Sequence, residues 1–120
     1  MKISIEFNSF ELAQVFTISR GSRTQADVLT VVITRGGCHG MGECVPYARY
    51  GETMASVSQQ IGELPKDFDR EMLRNILPAG AARNAVDCAL WDLEAKEAGL
   101  PVWKLAGLIK PKAIETAYTL

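Results

Sequence analysis

The chain has 120 residues, with 13 Lys and Arg against 14 Asp and Glu for a formal net charge of −1; 48% of its residues are hydrophobic and 22% charged. This is the length and balance of one globular domain, which excludes disorder, a collagen repeat and a coiled coil. Near-neutral charge without a basic cluster argues against nucleic acid as a partner, and no apolar run approaches the ~18 residues of a membrane span.

The first third reads as strands. Ile3, Ile5 and Phe7 alternate with Lys2, Ser4 and Glu6, as on a half-buried strand and not as in a signal-peptide core. Asn8-Ser9 punctuates, and a second apolar stretch runs from Phe10 to about Ile18. Ser19 to Gln25, with two arginines, a glycine and small hydroxyls, has the composition of a loop. Val28 to Thr34 is β-branched and ends at Gly36-Gly37, a hairpin signal, and Cys38 to Val45 returns as a glycine-interrupted strand. The expectation is an antiparallel meander with one long loop.

The remainder reads as helical. Met54, Val57, Ile61 and Leu64 recur at helical spacing before Pro65, and Asp69 can cap a short helix reaching Leu77 and stopped by Pro78. The strongest helix spans Ala81 to Ala98. Ala82, Ala85, Val86, Ala89, Leu90 and Leu93 form its apolar stripe, with Arg83–Asp87 and Asp92–Lys96 as i,i+4 pairs. Gly99 takes the place of a left-handed C-cap. A short amphipathic turn, Val102 to Leu108, leads through Lys110-Pro111-Lys112 to Ile114–Leu120, which reads as a strand without a successor. Strands, then helices, then a lone strand predict an α+β unit followed by the opening of another domain.

Little reaction chemistry is visible. Cys38, His39 and Cys44 match no zinc spacing and lack a fourth ligand, so they read as turn and strand residues. Three cysteines without disulfide spacing point to a reducing cytoplasm, with Cys88 packing inside the long helix. Glu43 and Glu52 do not read as an acid/base pair. Glu52 suits its helix N-terminus and Glu43 a salt bridge. Asp87 and Asp92 diverge on their helix and are poorly placed to share a metal.

Two loops look functional. Arg20 and Arg23 present guanidinium forks that suit a carboxylate, with no acidic neighbour closer than Asp27. Pro46-Tyr47-Ala48-Arg49-Tyr50-Gly51, between a strand and a helix, suits a lid or ligand rim.

Gly42-Glu43-Cys44-Val45-Pro46-Tyr47-Ala48-Arg49-Tyr50-Gly51-Glu52-Thr53 resembles the strand-plus-loop segment of the N-terminal capping domain of the enolase superfamily. Residues Ala79 to Leu93 look like the long helix of that domain. Within the muconate-lactonising branch the similarity is greatest to L-Ala-D/L-Glu dipeptide epimerases, supported by Phe16–Arg23 and Thr116-Ala117-Tyr118-Thr119.

The resemblance implies a three-stranded meander with a helical bundle over residues 1–110. Residues 111–120 would be a linker and the first strand of a (β/α)-barrel otherwise outside this chain. Two loops, residues 16–25 and 46–52, would close over that barrel, the domain's partner. Arg20 or Arg23, together with Tyr50 and Thr119, would contact a dipeptide substrate. The lysine bases and the acidic ligands of Mg²⁺ are expected in the barrel, so residues 1–120 carry no catalytic or metal-binding residue and the segment alone is inactive. Two alternatives stand beside this reading. One is the cap of another superfamily member: an N-acylamino-acid racemase, or a lactonising or dehydrating enzyme. The other is a standalone, non-catalytic binding or homo-oligomer-forming module.

Overall fold

The computed structural model describes residues 1–18 and 21–117, with the Ile18 side chain outside that description. Three strands, β1 (Lys2–Ile18), β2 (Gly21–Arg35) and β3 (Cys38–Cys44), form an antiparallel sheet in the order β1-β2-β3. A 3₁₀ turn (Ala48–Tyr50) precedes four helices: α1 (Met54–Gly62), α2 (Arg70–Ile76), α3 (Ala81–Ala98) and α4 (Val102–Leu105). This is the expected α+β meander followed by helices.

The Gly36-Gly37 hairpin is tight because both glycines adopt positive φ, 58° and 85°, between the paired residues Arg35 and Cys38. Leu29, Val31 and Ile33 alternate along β2 and are fully buried on the face toward the helices. Onto that face packs α3, whose buried stripe is Ala82, Ala85, Val86, Ala89, Leu90 and Leu93. The contact is closest at β3. A Cβ at Gly40 would overlap the backbone of Ala89 and Leu93, and one at Gly42 the backbone of Ala85 and Ala89. Bare glycine on the strand and alanine on the helix allow that approach.

Local signals set the helix ends. Thr53 and Ser56 form a reciprocal capping box on α1, and Asp69 accepts the Met72 amide at 2.8 Å on α2. Gly99, at φ 62°, closes α3 by donating to the Ala95 and Lys96 carbonyls.

Five expectations are corrected. Asn8-Ser9 does not interrupt β1: Asn8 Nδ2 donates to Thr30 Oγ1 and Ser9 Oγ to Asp27 Oδ1 on the neighbouring strand, so these polar side chains bridge the ladder. Gly21 to Gln25 is strand and not loop, pairing with Ile18 back to Glu11 across a bulge in which residues 12–15 oppose Thr24. Cys88 is exposed on α3, not packed. Arg83 donates to the Leu77 carbonyl and makes no ion pair with Asp87, whereas Asp92–Lys96 forms at 2.6 Å. Ile114–Ala117 carries no strand, since no described segment lies alongside to satisfy its backbone; residues 118–120 lie outside the described chain.

Candidate functional site

The helices cover only part of the sheet. Beyond Leu29 the β1–β2 ribbon projects past α3, leaving Phe7, Phe10, Val15 and Phe16 about half exposed. The end of this ribbon turns toward the segment between β3 and α1. There Phe16, Gly21, Ser22 and Arg23 meet Tyr47, Ala48 and Arg49 around an open cavity of about 660 Å³. The two loops singled out in the sequence thus share one cavity.

Arg23 holds its guanidinium carbon 5.8 Å from the centroid of the Tyr47 ring, within cation–π range. Tyr47 in turn lies 5.7 Å from Tyr50, the rings tilted by 55°. Neither Arg23 nor Arg49 belongs to an ion pair among the described residues. Two arginines that no described carboxylate pairs at contact therefore line the cavity, beside an aromatic wall. Its chemistry suits a small molecule bearing a carboxylate.

Of the expected contacts, Arg23 lies on this cavity. Tyr50, 74% exposed, lines a neighbouring one of about 530 Å³ with Tyr47, Glu52 and Gly80. Arg20 and Thr119 lie outside the described residues. Arg49 and Phe16 are additions that sequence reasoning did not single out as contacts. Arg49 sat inside the quoted rim motif, the available signal, while Phe16 reaches the cavity only because β1 continues past Asn8-Ser9.

Behind the aromatic pair, Glu52 binds two backbone groups. One carboxylate oxygen, Oε2, accepts the Tyr47 amide at 3.1 Å, and Oε1 accepts the Ala81 amide at 2.7 Å. The latter is the first residue of α3, so Glu52 serves that helix, 29 positions away, and not the helix beginning at Met54. Glu43 lies on the other face of the sheet, where its carboxylate accepts from Thr30 Oγ1 at 3.3 Å. The two glutamates thus serve separate networks. Burial pushes the Cys44 thiol up to about 11, with the Glu52 and Glu43 charges adding to the effect.

Asp92 ties α3 to β3, accepting the Met41 amide at 2.8 Å and Lys96 Nζ at 2.6 Å, while Lys96 also donates to the His39 carbonyl. Burial alone would raise the Asp92 carboxyl, but the Lys96 and Met41 hydrogen bonds hold it below its ordinary value. Among the described residues no three of His, Cys, Asp and Glu come together to hold a metal ion, so the residues present do not fit a Mg²⁺ site. No described helix is long and apolar enough to cross a membrane.

The family model for the N-terminal domain of mandelate racemase/muconate lactonizing enzyme matches residues 4–107. The chain belongs to that family. As an N-terminal domain of the family it is 50% identical, over 109 residues, to the L-Ala-D/L-Glu epimerase of Escherichia coli K12, covering 88% of this chain and 34% of that protein. It is similar to the crystal structure of an Agrobacterium tumefaciens enolase family member with homology to dipeptide epimerases, holding sodium and L-Ala-L-Glu with an ordered loop. That likeness has a TM-score of 0.83 at 45% identity and covers 89% of this chain and 34% of the other. A dipeptide epimerase from Methylococcus capsulatus, complexed with Mg and L-Arg-D-Lys, matches with a TM-score of 0.75 at 31% identity over 88% of this chain and 34% of that one. The chain thus spans about a third of the length of these relatives (34%).

Proposed function

We propose that this chain is the substrate-binding and closing domain of a Mg²⁺-dependent dipeptide epimerase that inverts the α-carbon of the second residue of L-Ala-Glu or a similar acidic dipeptide. The observation that carries the reading is the cavity that joins Arg23 and Arg49 to Tyr47, taking its walls from both loops. Two guanidinium groups suit the carboxylates of such a substrate, and relatives with the same fold bind dipeptides.

In this reading the metal and the two bases belong to the barrel that follows the domain. A carbon acid beside a carboxylate is weakly acidic, and Mg²⁺ held by acidic residues of the barrel would supply the positive charge that makes its proton easier to remove. This domain's residues orient the dipeptide and exclude water: Arg23 and Arg49 fix a carboxylate, Tyr47 walls the cavity, and Tyr50 backs Tyr47 from the neighbouring cavity. Arg20 and Thr119 complete the proposed contacts. The three described cysteines are free thiols, which suits the cytoplasm in which we place the enzyme.

The test is exchange of the substrate α-proton with deuterated solvent, in Mg²⁺, by the protein as its source makes it. L-Ala-L-Glu should exchange, and Arg23→Ala should lower kcat/KM roughly 30-fold, the loss of about 2 kcal/mol expected when a charge-assisted contact is removed. Failure of L-Ala-L-Glu to exchange, with an N-acylamino acid exchanging instead, would move the enzyme to the racemase alternative.

A further inference from the structure

The wall of the cavity stands on an anchor. The Ala48–Tyr50 turn closes on the Tyr47 carbonyl, which accepts the Tyr50 amide at 2.9 Å, but Tyr47 caps this turn without any side-chain hydrogen bond. Gly80, which precedes α3, likewise has no side chain to cap that helix. One carboxylate tethers the start of both elements, since Glu52 takes the Tyr47 and Ala81 amides on its two oxygens. A Cβ at Gly80 would stand 2.8 Å from Glu52 Oε1, so the glycine leaves the room that this bridge needs.

We infer that Glu52 is a positioning residue. Its carboxylate fixes the Tyr47 backbone to the N-terminus of α3, and through Tyr47 sets where the aromatic wall meets Arg23. An ionised carboxylate is the fitting group, because it accepts on both oxygens and lies where the helix dipole favours negative charge. Through the Ala81 amide it reaches α3, which is seated on the sheet through Gly40 and Gly42. The loop thereby inherits the position of the core, which is what a recognition surface held at sub-ångström precision requires. Glu52 does not line the cavity that Arg23 shares with Tyr47, although it lines a neighbouring one of about 480 Å³ with Arg23 and Asp27. The link to substrate rests on the dipeptide reading given above, while the link to loop geometry does not.

Nuclear magnetic resonance on the protein as its source makes it tests the geometry first. In Glu52→Gln one of the two amides loses its acceptor, because an amide side chain offers a single acceptor oxygen; in Glu52→Ala both do. Exchange of the Tyr47 and Ala81 amides should quicken roughly tenfold in Glu52→Ala, the size of a lost cap. The Arg23–Tyr47 side-chain cross-peaks should vanish in both variants, while the shifts of Ala89 and Leu90 in the middle of α3 stay in place. Cross-peaks that persist in Glu52→Ala overturn the proposal. In the enzyme that joins this domain to its barrel, Glu52→Gln should raise KM for L-Ala-L-Glu about tenfold with kcat little changed. A fall in kcat at constant KM overturns the positioning role. If the wild-type enzyme exchanges no dipeptide, the dipeptide reading fails and the cross-peaks alone decide the anchor.

Discussion

A methyl group at Gly40 or Gly42 is the smallest change with the largest expected effect on this fold. Each hypothetical Cβ falls inside the backbone of α3, and backbone cannot swing aside as a flexible side chain can. Gly40→Ala must lift the helix from the strand, and overpacking of this kind costs about 3 kcal/mol. A domain of 120 residues loses roughly 3–5 °C in Tm per kcal/mol, so calorimetry should show a fall of about 10 °C. Gly37→Ala, where the added carbon meets nothing, should cost less and only through its positive φ. The strand glycines were visible in the sequence as interruptions, but a glycine gives no sign of what approaches it.

Between elements, the Asp92 bridge from α3 to β3 makes stability depend on pH. The folded carboxyl titrates below its ordinary 3.8, so the unfolded chain takes up the proton first as pH falls. The bridge therefore stabilises the fold fully above that value and is lost as pH drops through the folded one. Asp92→Asn should lower the midpoint of urea unfolding at neutral pH and flatten its decline in acid; an unchanged acid limb would contradict the bridge. What the sequence made legible at this scale followed local rules. The α3 stripe, the Asp69 and Thr53 caps, Gly99 and the Gly36-Gly37 turn all act within a few residues of themselves. Misread segments drew their structure from afar: Asn8 and Ser9 resemble turn formers until Thr30 and Asp27 lie opposite, and Glu52 precedes one helix yet serves another. The candidate site was legible as two loops, one taken too long. Their meeting at one cavity was not, because it depends on how far the ribbon runs beyond the helices.

The whole molecule is more extended than a closed domain. Its radius of gyration is 16.2 Å, against about 13.5 Å for a compact chain of 120 residues. The ribbon projects past the helices and the segment after α4 trails from them, and both expose apolar side chains: Phe10 is 54% exposed, Ile109 and Ile114 87%. Apolar surface of that extent is normally covered. Sedimentation of the isolated chain should accordingly reveal species heavier than the 13.1 kDa monomer, and the chain with Mg²⁺ should exchange no dipeptide α-proton. A clean monomer would favour the standalone module, and proton exchange by the isolated chain would refute the assignment of the bases to the barrel.

The division of the sheet has a further consequence for descent. Residues that hold the fold, from Leu29 to Ile33 and from Ala82 to Leu93, contribute nothing to the cavity, and Phe16, Arg23 and Arg49 bury almost nothing in the core. Substitutions at the ribbon's end can therefore accumulate with little thermodynamic penalty. A lineage starting from this scaffold is free to trade an arginine for an apolar side chain, and so one ligand for another, without first acquiring a compensating mutation elsewhere.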